Sequence, residues 1–209
     1  MATMDGSAPR PPVVPATKPE QIRDAAMKCF ADGGFAGTSL QTIADAADVS
    51  IGLIQHYFVT KRQLIESIDR HVLSVFGDAL GVSPGATDVA VGASEAGSRF
   101  AELMHHNPEI MDYVGRALVE GGEVGKVIFD GLHAISEQQG VTFAAQGLTP
   151  DDLDSVWAAM LPLILRAGTI MLRPHIERHL QGSLYDWDAT SRWDAAVTRL
   201  IQKGQFKPQ

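Results

Sequence analysis

Between Thr17 and Val75 the apolar residues fall into four short runs at helical spacing, and each run opens on a hydroxyl-bearing residue. A half-buried strand needs alternation of period two, whereas an amphipathic helix needs apolar residues three and four apart. In the first run Ile22, Ala25, Ala26, Cys29 and Phe30 make one face. Thr17 with Glu20 spells a capping box with Pro19 in the first turn, and Gly33-Gly34 before Phe35 spells a C-cap. Thr38 and Ser39 open the second run, which carries Leu40, Ile43, Ala44 and Ala47. After Asp48-Val49, Ser50 caps a third run with Leu53, Ile54, Tyr57 and Phe58. Thr60 with Gln63 opens a fourth through Leu64, Ile65, Ile68, Val72 and Val75.

The stretch 81–87 (Gly-Val-Ser-Pro-Gly-Ala-Thr) breaks the pattern and marks a boundary. Beyond it the spacing predicts only helices, over residues 88–106, 108–120, 123–146, 150–180 and 188–203. No alternating run bounded by turns is present, so the expected fold is all-α. Residues 1–16 hold Pro9, Pro11, Pro12 and Pro15 and almost nothing to bury, which predicts a disordered tail. The expected division is a tail over 1–16, a compact three-helix unit over 17–64, and a helical domain over 65–209, with the fourth helix linking the last two.

Composition limits the function classes. The longest apolar run, 156–172, carries Pro162 and Arg166, too broken for a membrane span, and the N-terminus lacks the charge and apolar pattern of a secretory signal. One cysteine, Cys29, forbids an intrachain disulfide framework and fits a reducing compartment, so the expected location is the cytoplasm, with no membrane partner. Lying on the buried stripe, Cys29 reads as a small apolar filler. The formal net charge is −8, and residues 1–80 hold seven Lys/Arg against nine Asp/Glu. Any contact with nucleic acid must therefore come from a local arrangement of cations, polar groups and helix N-termini.

No Gly-x-Ser-x-Gly elbow, phosphate-binding glycine loop, His-Glu-x-x-His or reactive-cysteine context is present. The expectation is a protein that is not an enzyme and needs no cofactor. A helical-bundle enzyme and a non-sensing DNA-binding adaptor are the readings to be separated from it by turnover without DNA and by the absence of a cavity. His175 and His179 are spaced as two metal ligands on a helix could be, but His105, His106 and His133 supply no third and fourth ligand at defined spacing, and no metal is expected.

Two short helices joined by a tight turn after a longer packing helix form a helix-turn-helix arrangement. The second must be short, with an outer face that fits the major groove. Here that helix runs from Ser50 to about Phe58, with Ile54 and Phe58 inward and Ile51, Leu53, Gln55 and His56 outward. At these residues the chain resembles the TetR-type helix-turn-helix regulators. The resemblance rests on Ile22-Arg23-Asp24-Ala25-Ala26, Phe30, Gly34-Phe35, Thr38-Ser39, Ile43-Ala44, Ala47, Val49-Ser50, Gly52, Phe58, Lys61 and Leu64, without gaps over about residues 17–65.

The resemblance implies that the Thr38/Ser39 cap, Tyr57 and Lys61 meet phosphate. It implies that base edges are read from Gln41, Ile51, Leu53, Gln55 and His56, beside the Ser50 cap, with Gly52 allowing close approach to the DNA backbone. Asp48 stands where the family has glycine, Gln55 where it has tyrosine, Ile51 where it has a polar or basic residue, and Gln41 where it often has arginine. Gln41 and Gln55 could pair bidentately with adenine, whereas Ile51 and Leu53 could touch only thymine methyls or sugars.

For the remainder, the resemblance implies a domain that binds a small-molecule effector and pairs two subunits through its last two long helices. The partners expected are thus a double-stranded DNA operator, an unidentified effector and a second copy of the chain. Repression relieved by the effector is the sense the resemblance implies; activation is not separable from sequence. Trp157, Leu161, Leu165, Leu172, Ile176, Trp193, Val197 and Leu200 would supply the dimer surface. Phe76, Phe100, Met104, Met111, Tyr113, Phe129, His133 and Met160 could line a pocket for a mainly apolar effector with one or two polar handles.

Overall fold

The computed structural model describes residues 16–81 and 89–206, with only the backbone of 89–96. The proline-rich tail and most of the interruption after Leu80 lie outside the described residues. Within them the chain is helical and holds no strand: α1 (Lys18–Gly37), α2 (Leu40–Ala46), α3 (Ile51–Tyr57), α4 (Lys61–Leu80), α5 (Val89–His106), α6 (Pro108–Glu120), α7 (Gly122–Ala145), α8 (Ser155–Met171), α9 (Arg173–Ile176) and α10 (Trp187–Gln205).

The caps do what their chemistry demands. The Glu20 carboxylate accepts the Thr17 backbone N–H at 2.7 Å and its hydroxyl at 2.8 Å. Ser39, Ser50 and Thr60 each accept a backbone N–H from three residues on, at 3.0, 3.2 and 3.2 Å. Between α2 and α3, Asp48 occupies the left-handed region at φ 50°, where glycine is at ease and aspartate is one of the few other residues tolerated.

One continuous core runs from Ile22, Phe30, Ile43 and Ile54 through Leu64, Ile68 and Phe76 to Phe100, Met104, Met111 and Tyr113. α1 lies on α6, α4 on α7 and α5, and α5 on α10. At Gly131 α7 passes so close to α4 that a Cβ there would strike Leu73 at 2.5 Å. Across the α4–α6 contact the buried Tyr113 hydroxyl donates to Asp69 Oδ1 at 2.7 Å.

The segment expected as one helix over 150–180 is broken. Residues 150–153 are a turn, and Asp154 starts α8 by accepting the N–H groups of Val156 and Trp157. After Met171 the chain bends by 65° into α9 and a 3-10 turn over Glu177–His179, with Pro174 at the start of α9. His175 and His179 therefore do not share one α-helix face, and the His175 ring nitrogen Nδ1 lies 3.0 Å from Arg178 Nη2 instead. No group of three or more potential metal ligands occurs among the described residues.

Pro162, by contrast, sits inside α8 without breaking it. Its missing N–H orphans the carbonyl of Ala158, one turn back. Gln205, at the end of α10, supplies the donor: its Nε2 reaches Ala158 O at 3.0 Å. Gln205→Ala should cost about 0.5–1.5 kcal/mol in urea unfolding. In a Pro162→Ala background, where residue 162 regains its N–H, the same change should cost clearly less; equal costs in both backgrounds would dismiss this compensation.

The Asp69 carboxyl is pushed up to about 6, chiefly by burial and also by Glu66, against the opposing Tyr113 hydrogen bond. In the unfolded chain it ionises near its ordinary value of about 3.9. Between about pH 4 and pH 6 the folded state thus holds a proton that the unfolded state has lost, so this group's contribution falls as pH rises through that window. Asp69→Asn, whose amide oxygen can still accept from Tyr113, should gain stability relative to the native chain from pH 4 to pH 6 and hold that gain at pH 7. A constant difference across the range, by urea titration, would refute the assignment.

Candidate nucleic-acid interface and effector cavity

α3 is seven residues long, and its buried side chain is Ile54, with Phe58 just beyond its end. That anchor leaves Ile51, Gln55, His56 and Tyr57 exposed on the outer face, with Leu53 half-buried beside them. The His56 and Tyr57 rings meet edge to face with centroids 5.1 Å apart. At Gly52 a Cβ would meet nothing nearer than the Ser50 hydroxyl at 3.9 Å. Nothing in the fold demands a glycine there, at the second residue of α3, where alanine would favour the helix more. A residue unfavourable to the helix and facing open space is consistent with close approach by another molecule.

Ser39, exposed at the start of α2, shares a 2.8 Å hydroxyl contact with Thr42, and Gln41 Nε2 donates to Asp45 Oδ1 at 2.7 Å. Gln41 must leave that bond before it can reach a base.

Two expected phosphate contacts are placed differently. Thr38 is buried, and its hydroxyl lies 2.9 Å from Cys29 O and 2.8 Å from Gly34 O, tying off the end of α1. It has no surface to offer DNA. The half-buried Lys61 ammonium donates to Phe35 O and lies 5.7 Å from the Phe30 ring centroid. One of its protons is taken by the fold, leaving two for a phosphate.

Arg62, next to it, is exposed and paired with Glu66 at 2.9 Å. Two cations in the first turn of α4, with no acid there, oppose the helix dipole. That local misfit is a signal in the sequence that points to Arg62 as well as Lys61 as a site for an anion.

The helix-turn-helix unit is bolted to α6 at the end of α1, where Gly34 (φ 76°) interrupts the helix. Arg116 donates to the carbonyls of Ala31 and Asp32 at 2.8 and 3.2 Å, and the Phe35 N–H donates to Glu120 Oε2 at 3.1 Å.

Farther along, α4 through α8 border a narrow chamber of about 30 Å³, walled mainly by Phe76, Leu80, Phe100, Leu132, Leu163 and Ile170. A second, of about 40 Å³, opens between α7, α8 and α10 against Phe143, Pro162 and Phe206. Ser136, Gln139 and Arg166 belong to both.

Of the expected pocket residues, Phe76 and Phe100 line the first chamber. Met104 and Tyr113 have no exposed surface and are core, and Met111, equally buried, borders a separate open cleft between α1, α6, α8 and α9 rather than either chamber. Phe129, His133 and Met160 stand outside both chambers. The residues that sequence reasoning missed (Ser136, Gln139 and Arg166) are polar positions on helices whose inward face cannot be told from spacing alone.

The expected dimer surface also divides. Trp157, Leu161, Leu172 and Leu200 are about half exposed or more, and Ile164 joins them. Leu165 and Ile176 are half-buried, with Ile176 packed on the core. Val197 is buried, and Trp193 turns inward, its ring 5.6 Å from Phe100 and its Nε1 donating to Thr169 at 3.0 Å. Both belong to the protomer's own packing of α10 on α5 and α8.

Residues 22–68 match the family model described as bacterial regulatory proteins, tetR family. The chain is 40% identical over 53 residues to the HTH-type transcriptional regulator BetI of Burkholderia thailandensis, an overlap of 25% of this chain and 27% of that protein. Among solved structures it resembles SmeT, the repressor of the Stenotrophomonas maltophilia multidrug efflux pump SmeDEF, with TM-score 0.71 at 18% identity over 92% of this chain and 91% of that one. It likewise resembles the fatty acid degradation regulator FadR from Bacillus halodurans, with TM-score 0.72 at 18% identity over 88% and 97%. The sequence match thus spans about a quarter of the BetI relative's length, while the likeness of fold extends over nearly the whole chain. Residues 22–68 thus match the helix-turn-helix domain of the tetR family of bacterial regulatory proteins, and the described residues share the fold of the solved regulators named above.

Proposed function

We propose that this protein is a sequence-specific transcriptional regulator of the cytoplasm, acting as a homodimer that represses until a small molecule enters the C-terminal domain. The observation that carries the reading is α3: a capped helix of two turns, anchored by Ile54, with Gln55, His56 and Tyr57 free on its outer face. In a dimer two such helices enter successive major grooves about 34–36 Å apart on a near-palindromic site. The outward apolar stripe of Trp157, Leu161 and Ile164 on α8, with Leu200 on α10, is the face that supports pairing. The naming of SmeT as a repressor supports the sense of regulation. Coupling runs through α4, which holds Lys61 at one end and Phe76 and Leu80 of the chamber at the other. An effector that favours the non-operator spacing by a typical ~1–3 kcal/mol would lower operator affinity ~5–150-fold.

Selection of bound fragments from a random DNA pool tests the reading. An enriched palindrome with half-sites one turn apart is the expected result, and Gln55→Ala should relax the preference at particular base pairs. No enrichment at low salt would defeat it.

Leu161→Glu should give a folded monomer by sedimentation, with helical content unchanged. A persistent dimer would place the interface elsewhere; Trp193 is unsuited to this test because its ring packs inside the protomer.

A further inference from the structure

We propose that the effector is an amphipathic organic carboxylate, its head held by Arg166 and Gln139 and its apolar body seated against Phe76, Phe100 and Leu163; this rests on the reading that the C-terminal domain senses a small molecule. Arg166 projects from the inner face of α8 into the wall shared by both chambers. Its Nε is wholly out of solvent and has no hydrogen-bond partner. The guanidinium carbon lies over the Phe100 ring, 5.3 Å from its centroid. Asp194 is the charge that acts on it, yet that carboxylate is turned to the Thr198 hydroxyl at 3.3 Å. Burial lowers the affinity of Arg166 for its proton and raises that of Asp194, as expected of two charges enclosed without a close pairing.

A buried guanidinium nitrogen with an unused donor is costly unless an acceptor completes it, and an anion completes it best. The guanidinium's planar fork fits a carboxylate bidentately. A phosphate dianion would call for a second cation, and the chamber walls supply none: besides Asp194, which the Thr198 hydroxyl holds, Ser136, Gln139, Thr198 and Gln205 stand there, then apolar side chains. A neutral ligand would leave the charge unpaired, and a cation would be repelled.

The neighbouring polar group suggests how binding is felt. Gln139 Nε2 donates to the carbonyl of Leu80, the last residue of α4. A carboxylate on Arg166 competes for that amide, and α4 loses the donor that holds its C-terminal end. The chamber beside Phe76 holds only about 30 Å³, so the apolar body must widen it, and that widening and the pull on Gln139 act on the same helix that carries Lys61.

The test uses the full chain with linear carboxylates from hexanoate to dodecanoate and the alcohol and amine of matching length, by calorimetry and thermal shift. At least one carboxylate should bind and raise Tm, with its alcohol about 10- to 100-fold weaker and its amine weaker still. Arg166→Met should bind carboxylate and alcohol alike while folding at least as stably as the native chain, since a buried unpaired charge is removed. Arg166→Lys should recover part of the preference for the carboxylate, which keeps the test valid if the methionine variant fails to fold. Alcohol binding equal to carboxylate binding, carboxylate binding untouched in both variants, or no binding by any member overturns the proposal. None of these outcomes touches the DNA selection, whose failure would instead remove the regulatory reading on its own.

Discussion

The end of α1 is the joint on which the rest of the molecule depends. Where Gly34 leaves helical geometry, several backbone groups lose their partners, and each is recovered by a side chain from another element. Arg116 of α6 takes the carbonyls of Ala31 and Asp32, Glu120 of α6 takes the Phe35 N–H, Lys61 of α4 takes the Phe35 carbonyl, and Thr38 takes the carbonyls left inside. A buried polar group without a partner costs as much as several good contacts contribute, so this knot has one low-energy solution. At φ 76° residue 34 lies in the left-handed region that favours glycine, and a Cβ there would also press on the Glu120 carboxylate that holds the Phe35 N–H. The helix-turn-helix unit cannot swing freely: its orientation is set by α6, and α6 is fixed to α4 through Tyr113 and Asp69.

That arrangement makes the first half of the protein readable from sequence and the second half less so. Ser39, Ser50 and Thr60 are recognisable as caps because capping is a local exchange of one side-chain oxygen for one orphan amide, and Ile43, Ile54 and Leu64 are recognisable as core by spacing. Local chemistry also anticipates Asp48 as the odd residue of the turn, and its positive φ is the structural counterpart. Thr38 shows the limit. Standing beside a true cap, it has the same composition as one, and only the third dimension reveals that its hydroxyl closes the helix before it rather than opening the helix after it.

In the second half, spacing identifies faces without saying what each face meets. Trp193 and Val197 lie on an apolar stripe of α10 just as Leu200 does, yet the first two meet α5 and α8 while Leu200 meets solvent. The two internal prolines of the long apolar segment read alike and act oppositely. Pro174 follows the end of α8 and turns the chain, whereas Pro162 is absorbed because Gln205, more than forty positions on, serves the carbonyl it orphans. Arg166 reads as an interruption in a hydrophobic run. Its neighbours in space, Gln139 and Asp194, come from two other helices, so no local pattern could have gathered them.

α8 presents apolar surface on two sides. Its inner side carries Leu163, Ala167 and Ile170 against the chamber; its outer side carries Trp157, Leu161 and Ile164, bare in the single chain. A helix is stiff across its width, so neither side can be displaced without carrying the other along. If α8 pairs subunits as proposed, the wall of the binding space and the floor of the subunit contact would be the same object, its sideways position one coordinate read by both. Two copies facing each other across such a wall would register each other's contents, so occupancy of one chamber would alter the room available in its twin.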